Sequence, residues 1–393
     1  MRLLYFDGAS QCHLDKEGKR YVGSNLEGSV IKRYGQYCTD FAVMLIEDTT
    51  SYSEEEAQTR FNSIDQDLAE VIIVPDIKQP RRNLLNLKLR RKVMKVMADA
   101  IQEADRVIVR APGRFYTNTA LRLCRKYNKV YLIEAVDFVL DYLSFGRIMK
   151  FIAPYAEFIA KREIARAPYV VYVSQHTLQE RYPTNGKSLG CSDVELPDLD
   201  ESLPAKRMLR KPGSSLILGT AAGIGKLKGQ EYVIRAIGEL RKQSITNLEY
   251  HLAGGISPKF QHRLGQLMKA LHVEDSIKFC GPIPHERIFD WYDQLDVYIQ
   301  PSFTEALGRS VIEAMSRALP AACASVGGMV EYASDNLFFQ PGNVEQICIV
   351  LKKLLDPKVR RLESERSFTK AGEFAKSRLD PIRNKFYMDF MHS

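Results

Sequence analysis

The stretch that decides the fold is PSFTEALGRSVIEAMSRALPAACASVGG, residues 301–328. It follows LDVYIQ (295–300), a short apolar run rich in β-branched and aromatic residues, which predicts a buried strand. Apolar residues then recur at helical spacing until Pro320, namely Val311, Ile312, Met315, Ala318 and Leu319. This pattern places Glu305 in the loop before a helix and Glu313 within that helix. We therefore expect Glu305 at the carboxyl end of a strand, where open α/β sheets bind ligands.

Glu313 has two explanations at this stage. Arg309, Glu313 and Arg317 are spaced i, i+4 and i+8, which is also the spacing of a solvated ion-pair ladder on a helix. For Glu313 taken alone, the ladder is the commoner explanation. A binding role gains support from the combination with Glu305 in a strand-to-helix loop and with the Gly327-Gly328 turn that follows.

The whole run resembles the E-x7-E signature of retaining GT-B glycosyltransferases that use nucleotide-sugar donors, family 4-like and group 1. The resemblance implies that Glu305 faces the transferred sugar and that Glu313 binds the ribose hydroxyls. Free N–H groups at the helix start, around Leu307, Gly308 and Arg309, suit the oxygens of the donor diphosphate. The chain departs from the family in one place, because it has Ala-Leu-Gly where Gly-Phe-Gly often follows the first acid.

A second candidate phosphate site lies in SLILGTAAGIGKLKGQEYVIRAIGEL, residues 215–240. A strand runs into a glycine-rich loop and then into a helix, so the backbone can approach phosphate and lysines can neutralise it. The loop is not a Walker P-loop, because Gly-Lys-Ser/Thr is missing. It is not a Rossmann fingerprint either, because Lys228 stands where the third glycine belongs. Taken alone, such a loop is more often a solvated surface loop.

Beside the E-x7-E run, this loop resembles the place where the same family holds the donor diphosphate with an Arg and a Lys. Lys228 before Gly229 matches the lysine, and Lys226 is our substitute for the arginine, whose usual position is Gly223 here. HLAGG (251–255) and KFCGPIPHERIFDWYDQLDVYIQPS (278–302) resemble the segments that line the nucleotide base. Backbone groups near Ile283 would meet the base.

The rest of the chain predicts two alternating α/β halves, each with a parallel sheet and crossover helices. Predicted strands are 2–6, 41–46, 70–74, 106–110, 129–134 and 168–174 in the first half, and 215–219, 248–253, 277–280, 295–300, 320–324 and 336–339 in the second. The predicted domains are 1–196 (acceptor domain), a linker at 197–214, 215–379 (nucleotide-sugar domain) and a terminal helix at 380–393 that crosses back. The expected fold class is therefore α/β, a GT-B fold with two Rossmann-like domains facing each other across a cleft.

Composition limits the class of protein. With 393 residues the chain exceeds the size at which a single core stops growing, and 45% hydrophobic residues indicate a globular protein. Seven scattered cysteines without C-x-x-C indicate neither a disulfide framework nor a zinc ribbon. The start, MRLLYFDGAS, lacks the features of a signal peptide, so we expect a cytoplasmic protein.

The net charge of +8 is unevenly placed. The run RRNLLNLKLRRKVMK, residues 81–95, carries seven cations and no acid, with leucines between them. A basic amphipathic helix of this type indicates an anionic membrane surface, and a docked helix with a solvated basic face is an equal alternative. Nucleic acid fits less well, because no aromatic-studded strand or helix-turn-helix pattern accompanies the charge.

The first half offers polar residues just past predicted strands. Arg110, Arg114 and Asp137 are candidates for the acceptor side of the cleft, with Asp137 also a catalytic candidate, and His176 follows the strand PYVVYV. For each of these residues, capping or pairing within a loop is the commoner role. We expect neither a metal nor a resident cofactor, because the D-x-D at 65–67 falls in an apparently helical segment and no histidine pair has metal-ligand spacing.

These observations predict a hexosyltransferase-type enzyme with Glu305, Lys228 and Asp137 in catalysis. It would move a sugar from a nucleotide-diphosphate donor, UDP-sugar favoured, to a glycan or lipid-linked saccharide in cell-surface polysaccharide synthesis, such as capsule, at the inner face of the membrane. A GT-B-fold nucleotide-sugar epimerase and a non-catalytic protein that binds anionic surfaces are the alternatives.

Overall fold

The computed structural model describes residues 1–23, 28–64, 69–80, 83, 85–110, 113–144, 149–209 and 213–393. Within these residues the chain forms two sheets, one of nine strands and one of six. Helices pack against each sheet, and the two carboxyl edges face a common cleft whose walls come from both halves of the chain.

The first sheet has a parallel core with the strand order β5-β3-β1-β6-β7-β8-β9. Its strands are β1 (Arg2–Asp15), β2 (Arg20–Val22), β3 (Asp40–Tyr52), β4 (Asn62–Ser63), β5 (Glu70–Val74), β6 (Arg106–Arg110), β7 (Val130–Ala135), β8 (Tyr169–Tyr172) and β9 (Lys187–Gly190). Strands β2 and β4 are antiparallel and extend the sheet beyond β1.

Strands β1 and β3 are longer than the apolar runs predicted. The predicted segments 2–6 and 41–46 form the sheet core, but both strands continue past its edge and pair with each other, and the extension of β1 also pairs with β2. A register shift after Phe6 marks the change, and Gly8 follows it with φ +66°. The extension of β1 no longer has β6 as a neighbour, and its side chains are more polar than those of residues 2–6. The apolar pattern used for prediction therefore ends there.

Three helices lie side by side on one face of this sheet, since β5, β6, β7 and β8 are joined by crossovers in the same direction. They are α3 (Leu87–Glu103), α4 (Phe115–Lys126) and α6 (Met149–Ala165). The other helices of the first domain are α1 (Gly28–Gly35), α2 (Glu54–Arg60), α5 (Val139–Ser144) and α7 (Thr177–Arg181). Each of the three begins near the carboxyl edge of the sheet, so its first turns border the cleft.

The second sheet is wholly parallel, with the order β12-β11-β10-β13-β14-β15. Its strands are β10 (Leu216–Ala221), β11 (Leu248–Ala253), β12 (Ile277–Gly281), β13 (Val297–Gln300), β14 (Ala321–Ala324) and β15 (Phe338–Phe339). Its helices are α8 (Leu203–Leu209), α9 (Gln230–Lys242), α10 (Pro258–Leu271), α11 (His285–Asp293), α12 (Arg309–Ser316), α13 (Val344–Leu354) and α14 (Pro357–Ala371). Strands β11 and β12 extend the sheet on one side of β10, and β13 to β15 extend it on the other side, so the carboxyl ends of β10 and β13 form the switch point of this sheet.

The segment predicted as a linker contains helix α8, which packs on the second domain. Arg207 on α8 donates to the carbonyl oxygens of Arg317, Leu295 (2.9 Å) and Tyr292 (3.2 Å). One guanidinium thus satisfies several helix-end and loop carbonyls, which together with the buried Leu203 holds α8 in place.

The last helix, α15 (Lys376–His392), packs on the first domain. Tyr387 donates to Glu134 (2.6 Å), Arg383 donates to the carbonyl oxygen of Ser192 (2.7 Å), and Phe390 is fully buried. The chain therefore passes between the two domains twice.

Candidate active site

Two loops meet at the switch point of the second sheet, one after β10 and one after β13. The backbone N–H of Phe303 donates to the carbonyl oxygen of Leu227 at 2.9 Å, which joins the loops directly. Gly229 has φ +69°, and a Cβ there would overlap the carbonyl oxygen of Pro301. Only glycine tolerates both the conformation and the approach, which explains its position after Lys228.

The joined loops bring Lys228 to Glu305. The Lys228 ammonium donates to Glu305 Oε1, and the same oxygen accepts from Ser302 Oγ (3.0 Å) and Gln300 Nε2 (3.3 Å). Gln300 and Ser302 are completely buried, so their own positions are set by packing and they hold the carboxylate in place. Within the described part of the chain these contacts all end on Oε1.

The Gly327-Gly328 turn supports the Glu305 loop from behind. The N–H of Gly328 donates to the carbonyl oxygens of Glu305 and Ala306, both at 3.2 Å. Gly327 has φ +52°, and a Cβ on either glycine would overlap one of those carbonyl oxygens. The two glycines thus allow the turn to touch the loop backbone, so the loop is held by main-chain contacts.

Helix α12 begins at the cleft. Gly308 precedes it with φ +84°, and Tyr332 donates to the carbonyl oxygens of Leu307 (2.6 Å) and Gly308 (3.1 Å). Leu307 is buried, whereas Arg309 is exposed in the first turn. The first N–H groups of α12 therefore point into the cleft with a positive helix end, which suits phosphate oxygens.

Glu313 is half-buried one turn further along α12. Its Oε2 accepts from the Tyr292 hydroxyl at 2.9 Å, and burial together with the Glu313 charge raises the pKa of Tyr292 well above its ordinary value. Tyr292 therefore remains a proton donor to Glu313. Arg317, the last member of the alternative ladder, forms a bidentate pair with Asp293 instead (2.9 and 2.5 Å).

A cavity of about 260 Å³ separates the two domains at this point. Its second-domain wall is the loop and helix start just described. It is lined by Asp7, Ala9, Arg110, Arg114, Val136, Asp137, Val173, Asp193, Glu305, Ala306, Leu307, Gly308 and Arg309. Glu305 and Asp137 thus face the same space from opposite domains, together with the predicted Arg110 and Arg114.

Arg110 is committed to acidic partners in the first domain. It donates to Glu134 Oε2 (2.9 Å) and to Asp193 Oδ2 (2.5 Å), and Glu134 also accepts from the buried hydroxyls of Tyr34 and Tyr387. Although burial alone would lower it, the pKa of Arg110 lies well above its ordinary value, because Asp193, Glu134 and neighbouring tyrosines outweigh burial. Arg110 is a cation that anchors the cavity wall.

Arg114 and Asp137 are more accessible. They form a single contact of 3.1 Å, and their side chains are 33% and 42% exposed. Such a pair costs little to separate. Both groups are therefore more exposed to the cavity than Arg110.

Asp7 and Asp193 are cavity residues that sequence reasoning missed. The Asp7 carboxylate accepts from the N–H groups of Ala9 (2.7 Å) and Ser10 (2.6 Å), directly after the sheet core of β1. An acid before Gly8 at a predicted strand end was the available signal. For Asp193, burial raises the pKa, but Arg309 and Arg110 lower it more, so its pKa lies well below the ordinary value. Arg309 belongs to the second domain, so its charge acts on this carboxylate from the opposite wall without a direct ion pair.

Glu331 forms a direct clasp between the domains. It follows the glycine turn of the second domain and accepts from three backbone N–H groups at the start of α7, those of Gln175 (2.7 Å), His176 (3.0 Å) and Thr177 (2.7 Å). The Thr177 hydroxyl adds a fourth contact at 2.8 Å. A helix start in one domain is thus capped by a side chain of the other.

Other predicted residues lie apart from the cavity wall. Lys226 is exposed on the turn before Lys228, Gly223 is exposed and its carbonyl oxygen accepts from Gln230 (3.2 Å), and Ile283 lies half-buried after β12. His176 is exposed beside the Glu331 clasp and does not line the cavity.

Metal-binding groups of three or more suitable side chains are absent from the described residues. The predicted D-x-D at 65–67 lies outside those residues, as do Arg81 and Arg82.

Comparison with known proteins assigns the second domain. Residues 204–373 match the family model described as "Glycosyl transferases group 1". The second domain is therefore similar to the group 1 glycosyltransferases over this range. Protein CapJ of Staphylococcus aureus is 27% identical over 303 residues, which cover 74% of this chain and 72% of CapJ. D-inositol 3-phosphate glycosyltransferase 2 of Catenulispora acidiphila is 30% identical over 152 residues, only 35% of either chain.

Solved structures extend the likeness to both domains. Sucrose-phosphate synthase of Thermosynechococcus elongatus superimposes with a TM-score of 0.75, over 100% of this chain and 99% of the other, at 15% identity. Anabaena HepE, solved with UDP-glucose, gives 0.68 over 100% of both chains, also at 15% identity. These matches confirm the predicted GT-B fold with two Rossmann-like domains.

Proposed function

We propose that this protein is a retaining glycosyltransferase that moves a hexosyl group from a nucleotide-diphosphate sugar, with a UDP-sugar favoured, to a glycan or lipid-linked saccharide. The observation that carries the proposal is the meeting of Lys228 and Glu305 at the switch point of the second sheet, on the wall of the interdomain cavity. A cation and a carboxylate adjoin a helix start there, so one place offers partners for both diphosphate and sugar hydroxyls.

The donor would lie across the carboxyl edge of the second sheet. Its diphosphate would meet Lys228 and the N–H groups at the start of α12, while the ribose would replace Tyr292 or share Glu313 with it. The base would lie near the backbone of Ile283, and the sugar would extend to Glu305. This order places the sugar carbon toward the cavity wall formed by Arg114 and Asp137.

Transfer breaks the bond between the sugar C1 and the diphosphate oxygen and forms a bond from C1 to an acceptor oxygen on the same face. The acceptor proton leaves with the diphosphate, and Lys228 and the α12 helix start neutralise the growing negative charge. Glu305, fixed by Gln300 and Ser302, orients the sugar. Asp137 stands on the acceptor side, where it would receive a hydroxyl. We expect no metal and no resident cofactor.

The role in cell-surface polysaccharide synthesis, for example of capsule, rests on the likeness to CapJ. The preference for UDP rests on HepE, whose structures include complexes with UDP and UDP-glucose. We place the reaction in the cytoplasm, at the inner face of the membrane. Among the described residues no helix is long and apolar enough to cross a bilayer.

A panel of UDP-, GDP- and ADP-sugars tests the donor. A true donor at a hundredfold its dissociation constant adds about 2.7 kcal/mol to the free energy of unfolding, which a thermal melt detects. The anomeric configuration of the product, read by NMR, then tests retention. Glu305→Gln is the matched variant, because it should keep the nucleotide-induced stabilisation and lose transfer.

Other outcomes favour the alternatives. A changed sugar configuration in a donor-only reaction would indicate an epimerase, since that reaction needs no acceptor. Absence of stabilisation by any nucleotide sugar would remove the proposed function.

A further inference from the structure

Helix α6 carries an aromatic stripe on the side that faces away from the protein. Phe151, Tyr155 and Phe158 are 76%, 70% and 58% exposed. They recur at i, i+4 and i+7, so they form one stripe. The buried residues Ala153, Glu157, Ala160 and Ile164 lie on the opposite side of the helix. The outermost face of a docked surface helix is normally polar, and here it is not.

The stripe belongs to a larger surface formed by α3, α4 and α6, which we call the helical face. Arg90 on α3 lies over the ring of Phe115 on α4 (5.9 Å), and Arg125 on α4 pairs with Glu163 on α6, so the three helices are contiguous. Seven of the fourteen exposed large hydrophobic residues found in the described part of the chain lie here. They are Leu85, Leu87, Phe115, Phe151, Ile152, Tyr155 and Phe158.

The helical face is also strongly cationic. Helices α3, α4 and α6 hold eleven Lys and Arg residues against four acids. Two of those acids, Glu157 and Glu163, are buried in ion pairs with Arg181 and Arg125. The other two, Asp99 and Glu103, lie toward the end of α3 that is remote from the cleft. Of the cations, Lys88, Arg90, Arg91, Lys92 and Lys150 lie exposed in the half nearest the cleft, where these helices expose no acid, so that half combines apolar side chains with uncompensated positive charge.

We propose that the helical face is an interfacial membrane-binding surface for anionic lipids, in which α6 inserts its aromatic stripe among the headgroups. Aromatic residues flanked by Lys and Arg suit the boundary between headgroups and acyl chains, where apolar insertion and charge attraction add. This inference rests on the proposed function in one respect, namely that a lipid-linked acceptor explains why an enzyme would bind a bilayer.

The position of the helical face matches that role. Its apolar residues lie in the first three turns of helices that begin at the carboxyl edge of the first sheet, or, for Leu85, just before α3. Arg114 lines the cavity, and the next residue, Phe115, is already on the helical face. A bilayer in contact with this face would therefore lie beside the acceptor entrance of the cleft.

A second copy of the chain is a poorer occupant. A symmetric dimer through this face would place its cations opposite the same cations of the other copy, and like charges across an interface oppose association. An anionic bilayer supplies the complementary charge instead.

Vesicle sedimentation tests the proposal on the full chain. The parent should bind vesicles of phosphatidylglycerol and phosphatidylcholine at low salt, bind pure phosphatidylcholine far less, and weaken in high salt because salt screens the attraction. The stripe variant Phe151→Ser, Tyr155→Ser, Phe158→Ser should lose about tenfold or more in partition. The charge variant Arg90→Gln, Arg91→Gln, Lys92→Gln should lose a similar factor at low salt only.

The matched control is Ile349→Ser, Leu362→Ser, which removes exposed apolar residues from the second domain and should bind like the parent. Insertion is measured separately by tryptophan fluorescence. The emission maximum of Tyr155→Trp should shift to shorter wavelength with anionic vesicles, whereas that of Ile349→Trp should not shift. Both comparisons hold protein folding constant, because every substituted position is exposed.

Three results would overturn the proposal: a parent that ignores anionic vesicles, a stripe variant that sediments like the parent, or a parent dimer in solution that the stripe variant converts to monomer. Donor binding separates this inference from the proposed function. Loss of vesicle binding with intact UDP-sugar stabilisation removes only the membrane surface, and vesicle binding without any donor stabilisation removes only the glycosyltransferase.

Discussion

The two walls of the cleft are built by different means. On the second-domain wall, glycine turns and main-chain hydrogen bonds hold Glu305 and the start of α12, and Lys228 arrives on a loop that is joined to them through its backbone. On the first-domain wall, charged side chains hold one another, as in the pairs of Arg110 and Arg114. A wall fixed by backbone suits a constant partner such as a diphosphate, whereas a wall of exchangeable ion pairs suits a partner that differs among enzymes.

The largest effect is expected at Arg110, whose replacement tests whether the first-domain wall depends on this residue. Arg110→Ala would remove the cation that is hydrogen-bonded to both Glu134 and Asp193, and removing one partner of a buried pair costs about 3–5 kcal/mol of unfolding free energy. Chemical denaturation measures the loss. Arg114→Ala is the matched control and should cost under about 1 kcal/mol, because its pair with Asp137 is accessible. Equal losses would erase the distinction between the two arginines.

Acid titration checks the same network. Because the pKa of Asp193 is lowered in the folded protein, its ionisation stabilises the fold above the unfolded pKa of about 3.9, and that contribution is lost as the pH falls through the folded-state pKa. The stability gap between the parent and Asp193→Asn should therefore be largest near neutrality and narrow below about pH 4. A gap that is constant with pH would contradict a role for the carboxylate charge.

The next effect concerns chemistry on the second wall. Lys228→Ala should lower turnover by roughly a hundredfold to a thousandfold, since it removes a charge aimed at the departing diphosphate. Binding of the bare nucleoside should change little, because the nucleoside has no phosphate. Lys226→Ala is the control on the same turn, and it should have a smaller effect because its side chain is exposed. Equal losses of nucleoside and nucleotide-sugar binding would place Lys228 away from the phosphates.

A smaller effect is expected at Glu313. Glu313→Ala should weaken nucleotide diphosphate binding by about 1.5–3 kcal/mol if charge-assisted bonds to ribose are lost. Titration calorimetry with UDP and with the other nucleoside diphosphates measures this loss of binding free energy. Arg317→Gln is the control, because Arg317 pairs with Asp293 away from the cavity. Unchanged nucleotide affinity in Glu313→Ala would leave Glu313 with a structural role.

The smallest effect concerns the contact between the walls. Glu331→Gln removes the charge that caps α7 across the domains, which should cost the closed arrangement about 1 kcal/mol. Small-angle scattering should show a larger radius of gyration without nucleotide, while Glu345→Gln, on the exposed side of α13, should scatter like the parent. Identical scattering and donor affinity in Glu331→Gln would mean that the clasp does not hold the cleft.

The uneven construction also explains what could be predicted from sequence. Turns such as Gly229 and Gly327-Gly328 have local signatures, so the loops of the second wall, the second sheet and most of the parallel core of the first sheet were predictable from runs of 20 to 30 residues. The antiparallel strands β2 and β4 and the edge strand β9 were not predicted. Glu331 and Asp193 act on residues more than a hundred positions away, and no local pattern distinguishes them from surface acids. Helix α8 was missed because its segment is polar and contains proline, and the contacts of Arg207 with distant carbonyl groups leave no pattern in the sequence.

The aromatic stripe shows the same limit. Residues 149–165 have apolar side chains all around the helix, which by itself indicates burial. Only the packed structure shows which of these side chains remain outside. In the basic stretch at 81–95, by contrast, the exposed cations from Lys88 to Lys95 were evident from composition.

The return of α15 to the first domain has a mechanical consequence. The backbone crosses between the domains near residues 194–199 and again near 372–376, and two separate crossings define a line. Opening of the cleft is thereby restricted to rotation about that line, while twisting around a single tether is prevented. A chain cut after Ala375 would retain the whole second sheet, yet it would lose Tyr387 and Phe390 from the core of the opposite domain.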